Sequence, residues 1–262
     1  MSFVRSEEKN LSNTPKWFEV GSQLIGEVSG VAMQLADQLS DLSLDSKTSV
    51  QCSVLHYVQC LMASADANRE GKHAIALSLT RQSVEALTLI ECGFLKDRSL
   101  SSELVTAWVQ GSKSSGAIRK RLSQNVWQHY SKSLWSRGWG EYFGEFCSSI
   151  QPYAHYTREL QGWQLEVFDN ATLEDGGSIT LNMKFGFDTY DSNKATRITL
   201  IHILLSWTLG KIITNNVSQP ELEHKLDELQ QALEVCPELG KGQLDWAQQL
   251  WASEFTKPQE MT

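Results

Sequence analysis

From Trp17 onward, apolar residues return at steps of three and four: Leu24, Val28, Val31, Leu35, Leu39 and Leu42. That spacing lines one buried face of an α-helix. Asp45-Ser46 reads as a break and N-cap, and a second helix is expected over 48–68, burying Val54, Leu55, Val58, Leu61 and Met62. Gly71 opens a third segment, from His73 to about Lys96, with Ile75, Leu79, Ala86 and Ile90 on one side. A short helix over 102–110 stops at Gly111, a usual C-terminal residue. Gly and Ser between 111 and 116 mark a loop before a basic helix with Arg119, Lys120 and Arg121. A further helix, from Gly140 to about Ser149, leads into Pro152 and Tyr153-Ala-His155-Tyr-Thr-Arg158.

The period then changes. Trp163, Leu165 and Val167 alternate with polar residues, and so do Ile179, Leu181, Met183, Phe185 and Phe187. Turn formers fill 169–177, so a two-stranded β-hairpin with a longish loop is expected. An isolated hairpin is marginal in water, so it should pack on the helices or pair with a partner. Helices resume near Asn193 with an apolar stretch from Ile198 to Ile213. An amphipathic helix follows Pro220, and a last one carries Leu244, Trp246, Leu250, Trp251 and Phe255. The expected fold class is mainly α: a helical bundle with an inserted two-stranded β-hairpin. Residues 1–16 form a polar, flexible N-terminus, and 17–262 form one helical domain with the insert at about 163–187.

Composition narrows the picture. The chain has 262 residues, 41% hydrophobic and 21% charged, an ordinary globular balance with material for a sizeable core. Nine tryptophans read as large core or interface fillers. Net charge is −8, which argues against a dedicated nucleic-acid coat but leaves room for a local basic groove. The cysteines, Cys52, Cys60, Cys92, Cys147 and Cys236, are odd in number, without a Cys-x-x-Cys pair. They fit neither the usual zinc spacings nor a disulfide scaffold, and they favour a reducing compartment. The N-terminus lacks the apolar core of a signal peptide, and polar residues interrupt the apolar stretch at 198–213. That stretch therefore reads as a core helix rather than a membrane span, and a cytoplasmic protein with no membrane contact is expected.

Three constellations could carry chemistry. Arg81 and Glu85 are four apart in an apolar helix, hence neighbours. They form either a structural ion pair or a polar cleft in which Arg81 holds a phosphate. His155 follows Pro152 at a chain bend and could act as acid or base near neutral pH; equally, it could be a hydrogen-bonded interface residue. Arg119, Lys120 and Arg121 would attract a phosphate backbone, although such triplets are usually solvated helix faces. Asn125 to Trp139, aromatic and polar, is a candidate surface for an unspecified partner. No Gly-rich phosphate loop, His-Glu-x-x-His or Gly-x-Ser-x-Gly is present, so neither a metal nor a cofactor is expected.

The Arg-x-x-x-Glu of the long apolar helix, the Trp-containing helix, the basic stretch, the Tyr-x-His and the hairpin together resemble bacterial all-helical HEPN-like families. The likeness spans roughly Leu55 to Leu209. Members of that wider group include toxin and abortive-infection ribonucleases, usually dimeric. Their nuclease signature is an Arg followed by four to six residues and a His. Arg197-Ile-Thr-Leu-Ile-His202 meets the spacing but places apolar Ile198 where a polar residue is common, while Arg69 and His73 are one residue too close. The resemblance implies a metal-independent mechanism in which His moves a proton and Arg stabilises charge on the phosphorane. Either Arg197 with His202 or Arg81 with His155 would be the pair; the simpler reading makes His202 a bonded core residue. The expected function is thus a HEPN-like protein of toxin or anti-phage defence with metal-independent ribonuclease activity on RNA, acting as a homodimer. The alternatives are a non-catalytic subunit that binds a protein partner through the hairpin or the Trp-rich region, and a small-ligand sensor around Arg81 and His155.

Overall fold

The computed structural model describes residues 15–154 and 190–236, and between and beyond them only 160, 163, 165–167, 172–173, 179–180, 183–185 and 239. Among the described residues are eight α-helices: α1 Lys16–Asp37, α2 Leu44–Arg69, α3 His73–Phe94, α4 Arg98–Val109, α5 Ser115–Asn125, α6 Trp139–Ile150, α7 Ser192–Asn216 and α8 Pro220–Glu234. A 3-10 turn, Gln151–Ala154, continues α6.

Helices α2 and α3 form a hairpin about Glu70–Lys72, where Gly71 takes the left-handed φ of +77° that closes the turn. Helix α3 lies at the centre, with α2, α4, α5, α6, α7 and the 3-10 turn against it. Seventeen of its 22 residues are buried, so every polar residue on it needs a partner or a cavity. Helix α7 packs on α1, α2, α3 and α8, and α8 returns over α1.

Three glycines bring helices close. A Cβ on Gly93 would lie 2.6 Å from Val50 Cγ1, and one on Gly210 would lie 2.6 Å from Leu226 Cδ2. One on Gly21 would meet Ile203. The α3/α2, α7/α8 and α1/α7 crossings therefore rest on missing side chains.

Helix α7 is long and apolar enough to cross a membrane by length and composition, and 83% of that window is buried inside the protein. Core packing accounts for its hydrophobicity. Buried polar groups that face it include matched pairs: Ser64 and Thr80 meet His202, and Asn68 Nδ2 donates to Ala195 O at 2.9 Å.

Several sequence expectations need correction. The cap of α2 is Ser43, whose hydroxyl accepts from Ser46 N, rather than Asp45-Ser46; Leu39 and Leu42 are buried in the linker before it. Leu55 and Met62, expected inside, are exposed, as is Ile75. The inserted two-stranded hairpin is not what forms over 163–187. The described strands there are fragments of two or three residues in two separate ladders. Leu165–Val167 pairs with Met183–Phe185, and Thr172–Leu173 pairs with Ile179–Thr180. Leu165 faces Phe185 but Thr172 faces Thr180, so the register shifts by two between ladders and no continuous hairpin is built. Among the described residues the fold is a helical bundle without that element. The last predicted helix, around Leu244 to Phe255, lies outside the described residues.

Candidate functional site

Arg81 sits on α3 with its side chain 10% exposed. Its Nη2 donates to Gln151 Oε1 at 2.7 Å and pairs with Glu85, one helical turn on. Its Nε and Nη1 are sealed from solvent without a hydrogen-bond partner among the described residues. A buried guanidinium left partly unsatisfied is costly, which marks this position as one built for more than packing. From α5, Arg119 Nη1 approaches the same Glu85 carboxylate at 3.5 Å.

Above this cluster is an open cleft of about 300 Å³ between α5 and α6. Arg119, Lys120 and Ser123 form one wall, and Gly144, Ser148 and Gln151 belong to the other. Trp127 and Phe143, in edge-to-face contact at 5.6 Å, make its apolar floor. A Cβ on Gly144 would meet nothing within 4 Å, so that side of the cleft is backbone and open space. Gln151 is the seam, because it lines the cleft and accepts from the buried Arg81.

The electrostatics favour an anion. Two cations, Arg81 and Arg119, face one carboxylate, Glu85, and Lys120 adds a third positive charge on the cleft wall. Burial pushes Glu85 up, but its hydrogen bond with Arg81 and the charges of Arg81 and Arg119 outweigh it, and the carboxyl stays below its usual range. The Cys147 thiol in the cleft wall is pushed up to about 11 by burial, hence protonated and a poor nucleophile at neutral pH. Deeper, Trp127 Nε1–H donates to the fully buried Glu91 at 2.8 Å, and burial raises that carboxyl to about 7.

The predicted site residues separate. Arg81, Glu85, Arg119 and Lys120 converge; Arg121 is exposed and lines no part of the cleft. His155 lies outside the described residues, one position beyond the 3-10 turn that packs on α3. Arg197 and His202 do not make a site. Five residues apart on α7, they diverge by roughly 140° around the helix axis. His202 is 4% exposed, with Nε2 at 2.8 Å from Ser64 Oγ and 3.2 Å from Thr80 Oγ1. Both hydroxyls also lie within hydrogen-bond distance of Ala76 O and of each other, so the imidazole is tied into a closed buried network. Burial lowers its pKa to about 4, so it is a neutral core residue.

The Asn125–Trp139 stretch is mostly structural. Trp127, Leu134 and Trp139 are buried, while the Trp135 amide donates to Glu234 Oε1 at 2.8 Å. Sequence reasoning missed Gln151, Gly144, Cys147 and Glu91. Glu91 had a signal, as the lone carboxylate in the run Leu89-Ile-Glu91-Cys-Gly-Phe94. The other three arrive through the docking of α6, which no spacing along the chain announces.

No family model, curated protein or solved structure matches this chain.

Proposed function

We propose that the protein binds a phosphate-bearing ligand in the α5/α6 cleft, with the backbone of single-stranded RNA as the ligand class. One observation carries this reading: a buried arginine with two unsatisfied nitrogens, Arg81, lies beneath a cleft whose wall bears Arg119 and Lys120. A phosphate at Arg119 would compete for the cation that Glu85 now holds, which makes the site responsive to anions. In the ribonuclease form of this reading, Arg81 works with His155 and no metal, and the burial of His202 favours this pair over Arg197 with His202.

The test is binding of a short single-stranded RNA, and of inorganic phosphate, to wild type, Arg119→Gln and Lys120→Gln. Each charge removal should weaken RNA binding several-fold and reduce the salt slope by about 1. Unchanged affinity in both variants refutes the site. RNA cleavage in EDTA that disappears in His155→Ala would add catalysis to binding. Binding without cleavage would leave a non-catalytic RNA module, and phosphate binding without RNA binding would reassign the cleft to a small phosphorylated ligand.

A further inference from the structure

A second cavity, about 690 Å³, opens between α2, α3 and the end of α4. That volume lies within the range of small-molecule pockets. Its lining contains no lysine or arginine and a single carboxylate, Glu85, which Arg81 and Arg119 already hold. The cavity therefore offers little to an anion. What it offers is hydrogen bonding and two rings, Trp108 and the imidazole of His56.

Thr88 provides the decisive detail. Several buried or half-buried helical threonines send their hydroxyl back to the carbonyl four residues earlier: Thr80 to Ala76 at 2.8 Å, Thr199 to Ala195 at 2.9 Å, Thr208 to Leu204 at 2.7 Å. That is the ordinary way to satisfy such a group. Thr88 does not do this. It lines the cavity, is 2% exposed, and its Oγ1 has no hydrogen-bond partner. Its proton and lone pairs are left for something that enters.

Gln59 and Gln82, both exposed, also line the cavity, and no hydrogen bond ties up their side-chain amides among the described residues. An amide of this kind presents a donor and an acceptor side by side, which matches the edge of a heterocycle carrying both. Trp108, 40% exposed, supplies a ring at the rim, where planar ligands stack. Ala86 and Leu89 complete an apolar wall.

We propose that this cavity binds an uncharged, planar, hydrogen-bonding heterocycle, of the nucleobase or nicotinamide type, stacked on Trp108 and hydrogen-bonded to Thr88 and the two glutamines. The site is distinct from the phosphate cleft; Glu85 lines this cavity and pairs with Arg119, which lines the cleft.

Calorimetry and ligand-observed NMR with adenine, uracil and nicotinamide as probes test this on the full chain. At least one probe should bind with one-to-one stoichiometry. Trp108→Ala should weaken it about tenfold, the usual size of a lost stacking contact, and Thr88→Val should weaken it several-fold. Thr88→Val is isosteric and Trp108 is exposed, so both variants keep the fold, and their circular dichroism and melting profiles check this. Absence of binding by all three probes at millimolar concentration overturns the proposal, and so does equal affinity of wild type and both cavity variants. Inorganic phosphate titrated into Trp108→Ala separates this outcome from the cleft reading, since phosphate binding should survive there whatever the heterocycles do.

Discussion

His202 Nε2 lies 2.8 Å from Ser64 Oγ, across 138 positions of chain, and that contact joins α7 to the α2/α3 hairpin in the protein's centre. The imidazole is neutral there, its pKa lowered to about 4 by burial against a normal value near 6.5. His73, which shares a hydrogen bond with Asn68 at 2.9 Å and accepts from the Asp191 amide, is likewise lowered to about 4, again chiefly by burial.

Both histidines make the fold acid-sensitive. A depressed folded-state pKa means the unfolded chain binds protons first. The stability is fully present above about pH 6.5 and is lost progressively down to about pH 4. For the fully buried His202 the loss is on the order of 3 kcal/mol. Urea midpoints at pH 7 and pH 5 should differ markedly in wild type, and His202→Gln should show a shallower slope. An equal slope in the variant would show that His202 is not the sensor.

Glu91 acts in the opposite direction. Burial raises its carboxyl to about 7, with the Trp127 hydrogen bond pulling partly back. A raised folded-state pKa gives stability that is present below the unfolded value and lost as pH rises through about 7. Glu91→Gln should therefore stabilise the protein by about 1–3 kcal/mol at pH 8 and change little at pH 5, read by thermal melts at both pH values.

The helices were legible because their apolar spacing survives burial of one face, as in α1 and α8. Helix α3 was less so. Buried almost all round, it carries no stripe, and of the face assigned through Ile75, Leu79, Ala86 and Ile90 the first is exposed while Ala86 and Ile90 are buried. The same holds for α2, where tertiary contacts and not periodicity decide that Val54 goes in and Leu55 stays out. The alternation near 163–187 is real in the sequence, but alternation alone does not set register, and two short ladders replace the hairpin. Arg81 with Glu85 was readable from a spacing of four. The cleft was not, since Arg119 on α5 and Gln151 after α6 meet Arg81 only through packing.

Two glycines with opposite surroundings give a paired test of the packing. Gly144 on α6 faces open space, so Gly144→Ala should stabilise the helix by roughly 0.5–1 kcal/mol. Gly210 touches Leu226 where α7 meets α8, so Gly210→Ala should destabilise by about 1–3 kcal/mol as Leu226 is pushed aside. Chemical denaturation of both variants reads the signs. If both changes had the same sign, the close approach of α7 and α8 would be in doubt.

The Arg81–Glu85–Arg119 triad yields a prediction that separates an anion site from a structural ion pair. Glu85→Gln removes the one carboxylate between two arginines, leaving Arg81 buried and charged beside Arg119. Such a loss costs several kcal/mol for a sealed pair, but Glu85 is 36% exposed, so about 1–3 kcal/mol is expected. If the triad only ties helices together, phosphate and chloride at equal ionic strength should leave the variant equally weakened, because screening alone depends on ionic strength. If the cleft receives phosphate, the anion takes over the role of the missing carboxylate, and binding to the native state alone adds stability. Melting temperatures of Glu85→Gln in matched phosphate and chloride buffers decide the matter: a larger gain in phosphate than wild type shows supports the cleft, and an equal response in the two proteins reduces the triad to scaffolding.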